Sequence, residues 1–339
     1  MDFVSVIVPC RNERKHIGAF LESLDRQRTD DFDWEIIIAD GTSDDGTREI
    51  LEHRNTPRLV VIDNPAQTVS AGLNTAIRMA KGNIIVRMDC HTEYASDYLQ
   101  RCVDTLKSTG AENVGGPART SPRGYLARAI AAAYHSKFST GGARFHDETY
   151  QGWVDTVTYG CWWKATLERL GLFDESLVRN QDDELNLRLV RSGGKIWQSP
   201  EIVSWYNPRA SLISLFRQYF QYGFWKIPVI RKHRLPASWR HLVPGLFLAA
   251  NIGLLLLAPF SPLAFRVWGV TTVAYLLVCL LAAAQAAARC GWDLAMVLPI
   301  VFAVYHFSYG AGFVYGMLYW PAAGTQPQRL GKAFTGISR

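Results

Sequence analysis

Asn83-Ile-Ile-Val-Arg-Met-Asp-Cys-His91 is an apolar, partly β-branched run that ends on two potential metal ligands. It predicts a buried strand over residues 84–88, closed by Asp89-Cys90-His91. Residues i and i+2 of an extended segment share a face. Asp89 and His91 are therefore expected to converge on one ion at the strand's C-terminal edge, where open α/β sheets bind ligands. A carboxylate with an imidazole suits a divalent cation that also holds phosphate oxygens. A strand-end Asp near a His is also a common loop feature, so the neighbours decide.

Upstream, strand and helix signals alternate. Residues 3–8, 34–39 and 59–62 are apolar strands, and residues 13–24, 45–53 and 69–80 have helical character. Strands apolar on both faces and separated by helices imply a parallel sheet covered on each side. The fold class is thus α/β and Rossmann-like. No G-x-G-x-x-G follows the first strand, which argues against a nicotinamide or flavin enzyme. Downstream, residues 98–108 read as a helix and 113–116 as a short strand. Residues 117–152 are Gly- and Ala-rich and suggest a mobile segment over the site. Strand character resumes at 154–163, followed by helices at 165–170 and 182–192 and a strand at 195–198.

The 339 residues carry a net charge of +6, with 48% apolar residues that cluster toward the C-terminus. No Asp, Glu, Lys or Arg lies between Arg240 and Arg266, between Arg266 and Arg289, or between Asp293 and Arg329. A bilayer core needs about 20 apolar residues per helix. Three membrane helices are expected, near 242–258, 263–288 and 294–320. Residues 211–225 have the spacing of an amphipathic helix, either in the membrane interface or packed on the domain. Lys226, Arg231, Lys232, Arg234 and Arg240 form a basic flank that favours the cytoplasmic side and anionic headgroups. Its interleaved aromatics, Phe224 and Trp225, and the lack of a nucleic-acid motif argue against nucleic acid. No signal peptide is expected before the first strand. The six cysteines show no paired spacing, which fits a reducing compartment and argues against a disulfide scaffold or zinc site.

Four ordered motifs carry a family resemblance: Val4-Ser-Val-Ile-Val-Pro-Cys-Arg-Asn-Glu13, Asp40-Gly-Thr-Ser-Asp-Asp-Gly-Thr47, Asp89-Cys-His91, and Gln181-Asp-Asp-Glu-Leu185 with Arg188. The chain resembles the family 2 glycosyltransferases of the GT-A fold over about residues 3–225. Within them it is similar to the ExoA-type enzymes of bacterial exopolysaccharide assembly, through Val154-Asp-Thr-Val-Thr-Tyr-Gly160 and the run from Phe173 to Arg188. The resemblance implies a nucleotide-sugar-binding GT-A domain and single glucose transfer from UDP-glucose to a polyprenyl-diphosphate-linked glycan. It implies a divalent metal, Mn2+ or Mg2+, at Asp89 and His91, where His91 stands in place of the family's usual second Asp and favours the softer ion.

The donor would be held by Pro9, Arg11, Glu13, Asp40, Arg87 and Asp89. The family's use of the Asp40 position implies a contact to the uracil N–H; a cap on the following helix is the plain alternative. Arg87 faces either the phosphates or a nearby carboxylate. Asp182 aligns with the catalytic base, a carboxylate that takes the acceptor hydroxyl's proton. Gln181 and Asp183 adjoin it. Glu184 and Arg188, spaced i,i+4, read as a structural pair. Gln218 and Trp225 resemble the acceptor-side Gln-x-x-Arg-Trp element of processive members, but Gln221 replaces its Arg, which favours single-sugar transfer. His306 is an ionisable group inside the third apolar segment, either functional or a satisfied contact between helices.

The expected organisation is a GT-A domain at 1–210, an interface segment at 211–241, membrane helices at 242–320 and a basic tail at 321–339. The expected setting is a multi-pass bacterial inner-membrane protein with its catalytic domain cytoplasmic. Rival readings are a polyprenyl-phosphate glycosyltransferase, a short-chain processive synthase and a membrane-tethered sugar-nucleotide sensor.

Overall fold

The computed structural model describes residues 2–54, 56–323 and 334. The chain divides into two compact units, Met1–Ser121 with Arg144–Asn207, and Pro122–Ala143 with Pro208–Arg339.

The first unit opens with alternating elements: β1 (Phe3–Cys10), α1 (Ile17–Asp25), β2 (Asp33–Asp40), α2 (Thr47–His53), β3 (Leu59–Asp63), α3 (Val69–Met79) and β4 (Ile84–Arg87). β5 (Thr92–Tyr94), α4 (Tyr98–Thr109), β6 (Asn113–Gly116) and β7 (Arg119–Thr120) follow. The chain then leaves for the second unit through α5 (Tyr125–Tyr134) and α6 (Lys137–Thr140). It returns as β8 (Gly152–Val154), β9 (Thr158–Trp163), α7 (Lys164–Leu170), α8 (Gln181–Arg191), β10 (Ile196–Gln198) and β11 (Ser204–Tyr206).

Eight strands form one sheet in the order β3-β2-β1-β4-β9-β6-β10-β8, and β5-β11-β7 form a small second sheet. The sequence predicts a parallel sheet, and β3, β2, β1 and β4 are parallel. Beyond β4 the sheet is mixed, because β9 enters antiparallel between β4 and β6. The single strand expected over 154–163 is two: β8 runs along the sheet's edge against β10, and residues 155–157 redirect the chain into the interior as β9. Alternating side chains serve both faces, as a two-sided sheet requires. Val4, Val6, Val8, Ile36, Ile38, Ile84 and Val86 fill one core. Ile7, Ile37, Ala39 and Ile85 fill the other, under α3 and α8.

The second unit contains α5, α6, α9 (Leu212–His233), α10 (Val243–Leu257), α11 (Pro262–Cys290) and α12 (Leu298–Ala323). Among the described residues, three helical stretches are long and apolar enough to cross a membrane: Trp239–Leu257, Pro262–Cys290 and Leu298–Pro321. The α9 and α12 backbones meet closely. A Cβ on Gly223 would lie 2.1 Å from the Tyr309 carbonyl oxygen, and one on Gly312 would lie 1.9 Å from that of Phe220. Only glycine fits such an approach. The expected amphipathic helix is therefore longer than 211–225 and packs one face on α12, while Ile213 and Phe216 stay exposed. Lys226, counted with the basic flank, is buried; Arg231, Lys232 and Arg234 are exposed.

Residues 117–152 are no single covering segment. Ala129, Ile130 and Ala133 of α5 share a core with Cys279, Ala283, Ala287, Phe302 and Tyr305. Small side chains on both partners let those helices close, so 122–143 groups with the C-terminal helices rather than with a 1–210 domain. His306 Nε2 lies 2.9 Å from the Phe138 carbonyl oxygen, and the Tyr275 hydroxyl lies 3.1 Å from its Nδ1. The carbonyl can only accept, so Nε2 carries the proton and Nδ1 accepts from the phenol. His306 is thus a satisfied contact tying α6, α11 and α12. The basic tail at 321–339 falls almost wholly outside the described residues.

Candidate active site

The ends of β1, β2 and β4 lie side by side, with Cys10 opposite Asp40 and Ile7 opposite Arg87. Pairing of β1 with β4 stops at Ile7, so Pro9, which has no N–H, costs that ladder nothing. Past Pro9 the two edge loops are stitched together. Asn12 N donates to Ser43 Oγ at 2.9 Å, Asn12 Nδ2 to Asp44 Oδ1 at 2.9 Å, and Glu13 N to Thr47 Oγ1 at 2.7 Å. Arg11 lies across Gly41, where a Cβ would sit 3.2 Å from its side chain. Asp40 Oδ1 accepts from Ser43 Oγ at 2.6 Å, and Oδ2 lies 3.6 Å from Arg48 Nη1. Asp40 closes its own turn and is not the cap of α2, a position held by Gly46.

Arg87 is the centre of the site. Its guanidinium binds the Asp182 carboxylate directly and lies 3.4 Å from both oxygens of Asp89. Of the two partners that the sequence allows Arg87, the structure shows carboxylates. Side-chain exposure rises outward from Arg87 (6%) through Asp89 (15%) to Asp182 (40%). Burial works against the Arg87 charge, but Asp182 and Asp89 outweigh it and hold its pKa above the ordinary value. For Asp182, crowding by surrounding protein raises the pKa. Arg87 opposes that rise, while Asp89 and Asp183 add to it. Asp182 stands in the first turn of α8 beside Asp183 and the buried Gln181. Glu184, also in that turn, pairs with Arg188 at 2.8 Å, and Arg188 donates to the Leu172 carbonyl at 2.6 Å. That i,i+4 pair ties α8 to the end of α7.

Asp89-Cys90-His91 is not extended. β4 ends at Arg87, and Thr92 N donates to Asp89 O at 3.2 Å, closing a turn. The turn, rather than strand alternation, sets the directions of Asp89 and His91. His91 Nδ1 is buried, makes no hydrogen bond, and lies 3.7 Å from Glu13 Oε1. Glu13 is buried here rather than solvated in its loop. An imidazole nitrogen with no hydrogen bond beside carboxylate oxygens fits a divalent cation. Among the described residues, no three or more His, Cys, Asp or Glu side chains gather as a cage. One or two protein ligands leave coordination positions for phosphate oxygens, as Mg2+-type substrate sites do.

Two tyrosines fix this turn, and the sequence reading missed both. Asp89 N donates to Tyr94 Oη at 2.7 Å. The Tyr159 ring lies 5.9 Å from the Arg87 Cζ, and its hydroxyl bonds Thr92 Oγ1. Burial pushes both phenols well above the ordinary value, so they stay neutral. Tyr159 has φ +61°, and Gly160 has φ +110° with Trp162 Cζ2 only 2.3 Å from where a Cβ would lie. A bulky residue in the left-handed region is a strained conformation that tends to mark functional sites. The pair Tyr159-Gly160 lies in the stretch Val154–Gly160 already singled out, where a glycine after an aromatic was the available signal.

Two acceptor-side residues belong to the second unit. Gln218 bonds Arg209 and Tyr222 at 3.0 and 2.9 Å. Trp225 is 0% exposed, packs on Trp320 and donates to the Phe334 carbonyl at 2.9 Å. Packing on α12 leaves Trp225 no surface to offer an acceptor, which corrects that expectation.

The profile of glycosyl transferase family 2 matches residues 5–166. The succinoglycan biosynthesis protein ExoA of Rhizobium meliloti is 34% identical over 243 residues, 70% of this chain and 73% of that protein. This chain is a family 2 glycosyltransferase. A second relative aligns over nearly full length. It is the dolichyl N-acetyl-α-D-glucosaminyl phosphate 3-β-D-2,3-diacetamido-2,3-dideoxy-β-D-glucuronosyltransferase of Methanococcus voltae, 28% identical over 94% of this chain and 98% of that protein. Among solved structures, the mannosyltransferase PcManGT of Pyrobaculum calidifontis, in complex with GDP-Man and Mn2+, superposes with a TM-score of 0.57 at 20% identity. The match covers 94% of this glycosyltransferase and 87% of that one, and it confirms the GT-A-like fold.

Proposed function

We propose that this glycosyltransferase moves one sugar, with inversion, from a UDP-sugar to a polyprenyl-diphosphate-linked glycan at the cytoplasmic face of the bacterial inner membrane. The observation that carries the reading is the Asp89–Arg87–Asp182 cluster, two carboxylates on one buried cation at the sheet's ligand edge. Pro9, Arg11 and Asp40 border the space for base and ribose. Asp89 and His91, with Glu13 behind, would hold a divalent cation, Mn2+ by the softness of imidazole. That cation would neutralise charge growing on the departing diphosphate.

Asp182 takes the acceptor hydroxyl's proton. The freed oxygen lone pair forms the new bond to the anomeric carbon, from the face opposite the one that UDP leaves. The raised pKa of Asp182 makes it a stronger base than an ordinary carboxylate. Glucose as the sugar is what the resemblance to the ExoA-type enzymes implies. Three apolar helices and the exposed Arg231, Lys232 and Arg234 before α10 support the membrane setting.

The Methanococcus relative, named for a dolichyl-phosphate-linked sugar acceptor, supports a second reading in which the lipid carries a single phosphate. UDP release by the full chain in detergent decides between them. UDP-glucose would be offered with a polyprenyl-diphosphate glycan, a polyprenyl-phosphate-linked sugar, or bare polyprenyl phosphate. Release with the first alone supports the primary reading, and release with neither glycan-bearing lipid rejects both.

A further inference from the structure

We propose that Arg87 is the positioning residue of this site, one buried guanidinium that sets the place of Asp182 relative to Asp89, and that Tyr159 holds it there. The inference rests on the roles given above to those two carboxylates.

Three observations carry it. Arg87 ends β4, a strand between β1 and β9; it pairs with Ile7 of β1, and the preceding Val86 pairs with Cys161 of β9, so the strand that carries it is held on both sides. Its side chain is the least exposed of the three, shielded while the Asp182 carboxylate stays partly open. Tyr159 stacks against it from a strained backbone, with its hydroxyl secured to Thr92. A planar guanidinium can hold two carboxylates at once in a fixed fork, whereas an ammonium is a single point charge. Without Arg87, Asp182 and Asp89 face each other as like charges. The base then drifts from the line between acceptor oxygen and anomeric carbon, and a misplacement of about 1 Å costs on the order of 10²-fold in rate. The contact to Asp182 is direct, while those to Asp89 are 3.4 Å. The effect therefore falls on turnover rather than on donor binding.

The test uses the full chain in detergent. It measures kcat and donor KM with UDP-glucose and the lipid-linked glycan, and UDP affinity by calorimetry with Mn2+. Arg87→Met is expected to lower kcat about 10²-fold, with donor KM and UDP affinity within about threefold. Arg87→Lys is expected to recover part of the loss, and also serves should Arg87→Met not fold. Tyr159→Leu is expected to lower kcat about tenfold, with Tyr159→Phe milder because the ring remains. Loss of UDP affinity with kcat intact would make Arg87 a phosphate contact and overturn the proposal. Wild-type kcat in both Arg87 variants overturns it too, and wild-type kcat in Tyr159→Leu removes the tyrosine's part. Asp182→Asn, measured alongside, separates the two levels. Full turnover there removes the base itself, whereas inactive Asp182→Asn beside normal Arg87 variants removes only the positioning role.

Discussion

Asp182 in the first unit and His306 in the second are both ionisable groups shielded by protein, yet their surroundings differ. Asp182 has a guanidinium on one side and keeps 40% of its side chain open on the other. His306 has both ring nitrogens occupied, by a phenol and a carbonyl, and a perpendicular Phe138 ring 4.6 Å away. Shielding therefore does not make a group chemical. A reactive side chain needs a neighbour that keeps its charged form available and an open face for substrate. His306 has neither, and its hydrogen bonds are those of a clasp.

Removing the cation should separate the units most. Excess EDTA or Asp89→Ala is expected to abolish transfer, and His91→Ala to weaken it and change the preferred metal. Full turnover in EDTA would refute metal dependence. Asp182→Asn keeps the shape and removes the proton acceptor, so kcat should fall about 10²–10⁴-fold with UDP binding retained. If Asp183→Asn is the inactive variant instead, the base is Asp183.

In the second unit the sensitive positions are backbone contacts rather than ionisable groups. Gly223→Leu should force α9 from α12 and cost about 1–3 kcal/mol, as overpacking does, seen as a lower unfolding midpoint in detergent. An unchanged midpoint would mean that the helices do not touch at this glycine.

The pH profile tests the same contrast more finely. Crowding raises the Asp182 pKa above 3.8, so the base is protonated over a wider acid range. The rate should rise as pH climbs through that raised value, placing the acid limb of kcat/KM above an ordinary carboxylate's. A limb at or below 3.8 contradicts this. The smallest effect belongs to His306→Gln. Losing part of the clasp should cost about 1 kcal/mol of stability and leave kcat within about threefold. A large loss of kcat at unchanged stability would reassign His306 to function.

Much of the first unit was legible because its strands are short apolar runs whose residues have nowhere to go but a two-sided sheet. Asp40, Asp89 and Asp182 stood out as carboxylates at element ends, positions that burial alone does not explain. Periodicity, however, reports which residues are strand and not which strand lies beside which. The antiparallel entry of β9 was therefore invisible, as was the turn at 155–157. The partner of Arg87 lies 95 residues away, so pairing with Asp182 could not be read from spacing. In the second unit, the spacing of Leu215 and Tyr219 is the same whether a helix floats in an interface or packs on a neighbour. Gly223 and Gly312 carry the difference, and they decide it only once the partner helix is known. The alanines of α5 give little hydrophobic signal and suggest a mobile segment in the sequence, although small residues are what close helix packing requires.

The departure of α5 from the first unit has a consequence for biosynthesis. Ile130 shares its core with Ala282 and Phe302, so the residues that cover it emerge more than 150 positions later. At about 5–20 residues per second of translation, α5 waits on the order of ten to thirty seconds for its neighbours. During that interval the sheets of the first unit must be completed by β8 to β11, strands made after α5. The nascent chain therefore carries an uncovered apolar helix while the sheet of the first unit is still incomplete. A shortened gene ending near residue 210 would make that state permanent. A soluble catalytic fragment is expected to aggregate unless α5 is given a polar face, for instance by Ile130→Lys with Ala133→Glu. The fragment's yield in the soluble fraction, with and without those changes, measures how far the first unit depends on the C-terminal helices for its solubility.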